Sequence, residues 1–440
     1  MVRGELPYRD SVLTQLPGAQ FILGFYYFLI TPSLFSTQCL TASFNWMTAW
    51  MLWRIGNILS GPFVGAVAAL LFSWAPATLA HHVFEPEVLS AAIIAAMLLL
   101  MLDTRRPAGG KIPALVFLSA IGFFIKATFG LAVLGTTAGI ALTDRRAALR
   151  YFALAMSAML AIIALLGIVF GREFFIQAFL FQAMKGPLPL AHRFNSFFIA
   201  TNPILIPAIA GFLSQCSDLR WKIVALMSLF TSALVLMGPT YWSHNAIDPL
   251  VPMTLLAAAG WDEARKIAKG NPRVLFARTA CSVSLLLLAF LGAGGRMPFV
   301  TEGVDRSEIM RAARAIEDLG RAGTVMYAPS VLIFETNSSG YIRHPEFYGV
   351  YLWIKETADR DGVLATLRSA SADTFSARMA RQKGRWEEDV YRAIEESRLK
   401  TVVYEPLRSD SADALDPERL QRAGMAPIPG AAGFYQIWTK

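Results

Sequence analysis

Charge is what this sequence has least of. Asp, Glu, Lys and Arg make up 16% of its 440 residues, against a hydrophobic share of 55% and a mean hydropathy of +0.46. Soluble chains carry about 25% charge, so a string of ordinary soluble domains is excluded. Cysteine is nearly absent too. Cys39, Cys216 and Cys281 lie in or beside apolar segments, with no metal-ligand spacing and no disulfide framework, and read as buried thiols. The opening MVRGELPYRD has no apolar h-region directly behind its charges, so it is not expected to be a signal peptide. Basic patches are missing as well. The net +8 sits beside apolar runs, so no nucleic-acid partner is expected.

The charge that is present is unevenly placed. Pro298–Lys440 holds 19 of the 40 basic and 21 of the 32 acidic residues. An oily, net-positive block over 1–297 thus precedes an ordinary, slightly acidic stretch over 298–440. The expectation is a polytopic α-helical membrane domain followed by a small soluble one.

A straight helix needs about 20 apolar residues to cross a bilayer, and fewer where it is broken inside protein. Spans are expected near 33–53, 61–80, 88–102, 113–125, 128–142, 151–170, 195–213, 222–238, 247–261 and 279–295. The run Ile112–Leu142 is split only by Lys126 and is read as a short hairpin. With that reading, one set of loops holds 14 basic residues, among them Arg105, Arg145, Arg220 and Arg265, and the other set holds six. Positive-inside bias puts the first set in the cytoplasm, so the N-terminus and the soluble domain are expected outside. All five histidines, with Asp10, Glu85, Glu87 and Asp248, then fall on or near the outer face.

That face carries the candidate chemistry. Pro7 and Pro17 bracket Asp10 in a stiffened loop, and the aromatic stretch Ala19–Ile30 behind it suits an interfacial or re-entrant helix. A solvated loop carboxylate is the simpler reading of Asp10 on this segment alone. His81-His82-Val83-Phe84-Glu85-Pro86-Glu87 crowds two imidazoles and two carboxylates beside lipid, costly unless they face water or a polar cavity. Adjacent histidines rarely chelate one ion, and Glu85 or Glu87 could instead cap the next helix. Lys126, His192-Arg193 and His244 supply cations on the same face. They could hold a phosphate, although a lysine at this depth also snorkels to the interface.

Four segments in this order resemble bacterial membrane glycosyltransferases of the GT-C fold, related to protein mannosyltransferases and the RgtA/B/C/D-like group. They are Gly4-Glu5-Leu6-Pro7-Tyr8-Arg9-Asp10, Glu85-Pro86-Glu87-Val88-Leu89, Phe124-Ile125-Lys126-Ala127-Thr128, and His244 with Asp248-Pro249-Leu250-Val251-Pro252. The resemblance covers 1–297. It implies a multi-pass protein of the bacterial inner membrane, with the C-terminal domain extracytoplasmic. Such a protein would move a sugar from a polyprenyl-phosphate donor to a glycolipid, polysaccharide or protein acceptor by direct inverting displacement. Asp10 matches the first-loop catalytic aspartate and Glu87 the second-loop acid, with Glu85 as the alternative register. Lys126, His192, Arg193 and His244 are the candidates for the donor phosphate, and a divalent cation is the one cofactor left open. Two departures stand out. Members carry a transmembrane helix before the first-loop motif, and this chain begins at the motif, as a late start or a truncated paralogue would. Ser243-His244-Asn245 also lacks the aromatic residue that often follows the histidine.

The tail alternates patterns, helix-like over 307–319 and 386–398 and strand-like over 323–334, 401–404 and 434–438, which suggests a small α/β domain. The rival reading is a lipid or sugar transporter or flippase. It would call for mid-membrane charges and repeated span patterns, and the sequence shows neither.

Overall fold

The computed structural model describes residues 8, 15–30, 33–75, 78, 85–103, 108–184, 190–237, 243–268, 306–321, 324–327, 339–340, 354–362, 387–404, 415–428 and 436–440. Ten helices of 12 residues or more lead the described chain: α1 Gly18–Leu29, α2 Leu34–Ser60, α3 Pro62–Trp74, α4 Pro86–Leu102, α5 Ala108–Ile125, α6 Gly130–Ala141, α7 Arg145–Phe175, α8 Leu190–Gln215, α9 Leu219–Ser232 and α10 Ile247–Ala268. Helices α2 to α10 fall on nine of the expected apolar segments, and the segment 279–295 lies outside the described residues. Arg145–Met184 and Leu219–Leu236 are long and apolar enough to cross a membrane.

Local chemistry sets the helix boundaries. Ser33 and Ser36 form a reciprocal capping box at the start of α2, satisfying two backbone donors that a helix leaves open. Pro62 and Pro86 stand at the first turns of α3 and α4, where a missing N–H costs nothing. Asp144 and Asp218 cap α7 and α9. The run 112–142 forms two helices, with a 3-10 turn at Ala127–Phe129 between them. Both pack on α7, where the Ser119 and Tyr151 hydroxyls meet at 2.6 Å.

Helix α10 is the hub. Ile247, Leu250, Val251, Met253 and Leu255–Ala259 are all buried, the pattern of a helix covered all round, and α2, α3, α4, α8 and α9 pack against it. Its crossing with α8 is tight. A Cβ on Gly211 would stand 1.8 Å from the Leu256 carbonyl oxygen, and one on Gly260 would stand 2.4 Å from that of Pro207. Lipid tails give no hydrophobic drive between apolar helices, so close backbone approach at small residues does the holding.

The two ends of this bundle differ in chemistry. Asp248 opens α10 and Arg265 lies in its last turn. The Arg265 guanidinium lies 4.1 Å from the Phe63 ring and pairs with Asp262 at 2.8 Å, and Arg220 donates to the Ile58 carbonyl at 3.2 Å. Lys111 donates to the Met101 carbonyl at 3.2 Å. Arg220 and Lys111 thereby satisfy carbonyls that helix C-termini leave open. The cysteines are a correction. Cys39 and Cys216 are exposed, because apolar character here also marks faces turned away from the protein core.

The C-terminal elements build a second core. Helix α11 Arg306–Asp318 and strand β1 Val325–Met326, which pairs in parallel with β2 Ser339–Gly340, come first. Helical segments follow at 354–361 and 387–395. Strands β3 Thr401–Tyr404, β4 Ala426–Pro427 and β5 Gln436–Thr439 form an antiparallel sheet in the order β3-β5-β4. Tyr327 bridges to Val402 in parallel. Tyr327, Ile394, Val402, Leu420 and Trp438 pack together beneath the sheet.

Substituting Gly211 tests the crossing. Gly211→Val should cost on the order of 1–3 kcal/mol through overpacking, while Gly109→Val, which meets nothing within 4 Å, should cost far less. Thermal unfolding of the detergent-purified protein, followed by size-exclusion chromatography, reads the difference.

Candidate functional site

Two helix starts and one interhelical turn meet at the end of the bundle opposite Arg265. Pro86 directs the chain into α4 and places Glu87 in its first turn. A 3-10 turn, Ser243–Ala246, feeds α10 and places Asp248 in its first turn. Carboxylates are stabilised there by the helix dipole. Lys126 follows the last residue of α5 with an extended backbone (φ −151°) and leads into the 3-10 turn.

These positions converge. The Lys126 ammonium lies 3.0 Å from Glu87 Oε1 and 3.1 Å from Asp248 Oδ2. The Ser90 hydroxyl, one turn beyond Glu87, donates to the other oxygen of Asp248. Glu87 is 3% exposed, Asp248 7% and Lys126 8%. Charges so deep persist only when paired and hydrogen-bonded. One cation between two anions leaves the group formally negative by one. Such a group can accept protons and attract cationic or hydroxyl-bearing groups.

Helix α1 forms the wall beside this cluster. Gly18 lies against the Phe124 backbone, and a Cβ there would stand 2.6 Å from the carbonyl oxygen. Ala19 packs on Leu89 and Ile125, neighbours in sequence of Glu87 and Lys126. The opposite side of α1 exposes Phe25 and Phe28 at 66% and 78%, apolar area that fits a lipid surface.

The sequence-derived candidates divide as follows. Glu87 and Lys126 are brought together. Glu85 occupies the N-cap position of α4, half-buried, without a side-chain capping bond. Arg193 stands in the first turn of α8 and donates to the Leu236 carbonyl at 3.0 Å. His192 lies on the same helical turn and His244 in the 3-10 turn before α10, and their side chains are outside the described residues. So are Asp10, His81 and His82. Tyr8, two residues before Asp10, is described and buried at 2% exposure. Lys126 does not snorkel, because its ammonium is held by two carboxylates. Asp248, placed on the outer face by the sequence but given no role there, joins the cluster, and so does Ser90, which the sequence did not single out. An acid opening a long apolar helix just after His244 was the available signal for Asp248, whereas Ser90 in an apolar helix gave none. Among the described residues, no three His, Cys, Asp or Glu side chains converge as metal ligands do.

No protein-family model matches this chain, and no curated protein matches it in sequence. Solved structures do. ArnT from Cupriavidus metallidurans bound to undecaprenyl phosphate is similar with a TM-score of 0.54 at 13% identity, over 97% of this chain and 87% of that one. The same protein in the apo state gives 0.49 at 13% identity, over 88% and 70%. At such identity the first likeness speaks to the fold alone, and that fold is the polytopic membrane GT-C architecture of ArnT.

Proposed function

We propose that this chain is a membrane glycosyltransferase. In this reading it moves a sugar from a polyprenyl-phosphate donor to an extracytoplasmic glycolipid, polysaccharide or protein acceptor by direct inverting displacement. The observation that carries the reading is the buried Glu87–Lys126–Asp248 group beside a lipid-facing helix, on the GT-C architecture. A structural neighbour with that architecture was crystallised with undecaprenyl phosphate. The proposal sets residues 1–297 in the bacterial inner membrane, with the triad end outward and the basic end at the cytoplasm. Residues 298–440 form the extracytoplasmic domain.

In this scheme Asp10 is the general base. Its carboxylate takes the proton of the acceptor hydroxyl as that oxygen attacks the anomeric carbon. The bond from the anomeric carbon to the phosphate oxygen breaks, and the polyprenyl phosphate leaves as an anion. The positive charge that develops on the sugar ring is stabilised by nearby carboxylates. Arg193, His192 and His244 are assigned to the departing phosphate. Lys126, held by Glu87 and Asp248, serves mainly to fix those two carboxylates and touches the phosphate with its remaining N–H. Glu87 positions the acceptor. A divalent cation, if the reaction uses one, would neutralise phosphate charge. The prenyl chain lies against α1 and its aromatic residues. A transporter would place buried charge in mid-membrane, whereas this triad sits at two helix starts and an interhelical turn.

Transfer of label from radiolabelled polyprenyl-phosphate sugars to a membrane acceptor fraction tests the reading. Asp10→Asn and Glu87→Gln should each lower the rate by about 100-fold or more. Undiminished transfer by Asp10→Asn would remove the base assignment, and no transfer by the wild type with any donor would remove the reaction.

The triad has its own test. Lys126→Met leaves two carboxylates buried without their cation and should destabilise the protein by about 3–5 kcal/mol. Adding Glu87→Gln and Asp248→Asn removes the uncompensated charge and should restore most of the thermal stability, but not transfer. Failure of that restoration would show that the three residues do not act as one electrostatic unit.

A further inference from the structure

Away from the triad, an unbroken chain of polar contacts runs from Lys355 in the C-terminal region to Tyr8 near the N-terminus. Tyr8 is its anchor point. Its ring is buried edge-on against Phe170 at 5.2 Å and Phe174 at 5.4 Å. Its hydroxyl donates to the Gln15 carbonyl at 2.5 Å, and burial holds its phenol above the ordinary value, in the donating form. Its backbone has φ +63°, a conformation that bulky residues avoid and that persists only where the surroundings impose it.

The group that holds this backbone is the buried side chain of Gln177, whose Nε2 donates to the Tyr8 carbonyl at 3.0 Å. That amide has two protons, and the other faces Glu173 Oε2 at 3.5 Å. The second oxygen of Glu173 receives the Lys355 ammonium at 2.6 Å. Next to it, Arg172 pairs with Asp359. Lys355 and Asp359 are four residues apart on the 354–361 helix and share a face, so one helix grips two successive residues of α7 with charges of opposite order.

The backbone of α7 is bent to make this possible. Gly171 breaks the helix at φ +63°, ψ −148°, a region open only to glycine. One turn later the chain takes a π-helical turn, Ile176–Leu180. Such a turn adds a residue per turn and re-aims the side chains it carries, often at functional sites. Gln177 is one of them.

We propose that Gln177 is a positioning residue for the N-terminal loop, fixing the chain two residues before Asp10, and that the 354–361 helix sets Gln177 through Glu173. The C-terminal region thereby controls the geometry of the reaction without touching the reacting atoms. This rests on the glycosyltransferase reading only where it invokes Asp10 as the base. The Lys355–Glu173 pair is partly exposed, with side chains 40% and 29% accessible, so its consequence is orientation and not bulk stability.

The test uses the full-length protein in lipid nanodiscs and two readouts. The first is hydrogen exchange across residues 1–17. Gln177→Leu and Lys355→Glu should speed exchange there by about tenfold or more, while Lys355→Arg, which keeps the charge, should match the wild type. The second is transfer kinetics. Gln177→Leu should lower kcat by about 10- to 100-fold with the donor KM within about twofold, as expected when a catalytic group is misplaced and binding is kept. Unchanged exchange in Gln177→Leu would overturn the proposal, as would a rise in KM with kcat intact. The exchange arm does not depend on the reaction. A wild type without transfer therefore sinks the glycosyltransferase reading alone, whereas wild-type exchange and rate in Gln177→Leu beside an inactive Asp10→Asn sinks this proposal alone.

Discussion

A single ammonium group, that of Lys126, ties together one end of this bundle. Without it, Glu87 and Asp248, at 3% and 7% exposure, would be buried carboxylates with no cation between them, an arrangement that costs several kcal/mol. With it, three elements far apart in sequence are tied at one end of a bundle whose helices otherwise meet through apolar contacts. The start of α4, the turn between α5 and α6, and the start of α10 are held together by ion pairs that tolerate little displacement. Ser90 completes the set by donating to Asp248.

The rest of the architecture serves to hold that end in place. Helix α10 is buried all round, and Gly211 and Gly260 let α8 cross it at backbone contact. The opposite end carries cations that satisfy helix carbonyls, as Arg220 does for Ile58. Among the described residues, one end of the bundle therefore carries basic side chains on helix carbonyls, and the other a buried ionic group beside an aromatic helix. That polarity suits a reaction in which a lipid-borne group is presented from the membrane to an acceptor in water.

Much of this was legible in the sequence, for identifiable reasons. Apolar runs bounded by Pro62, Pro86 and the caps Asp144 and Asp218 give helix limits from local chemistry. Lys126 in an apolar run marks the break between α5 and α6, because a charge inside lipid demands an explanation. The strands at 401–404 and 436–439 follow from alternation. What the sequence withheld is long-range. Nothing local says that Lys126 would meet Asp248, 122 residues away, or that Gln177 would hold Tyr8 across 169. The thiols were misjudged for the same reason. In a membrane protein apolar surroundings do not separate core from lipid, so Cys39 and Cys216 stand exposed where burial was expected.

Photo-crosslinking with a diazirine-bearing polyprenyl phosphate, in membranes and with unlabelled undecaprenyl phosphate as competitor, addresses the central claim most directly. Adducts mapped by mass spectrometry should fall on α1, Gly18–Leu29, and on the starts of α4, α8 and α10, and competitor should remove them. Competable adducts at the other end, around Arg145, Arg220 and Arg265, or labelling that competitor leaves untouched, would contradict the placement of a lipid-phosphate site beside the Glu87–Lys126–Asp248 group.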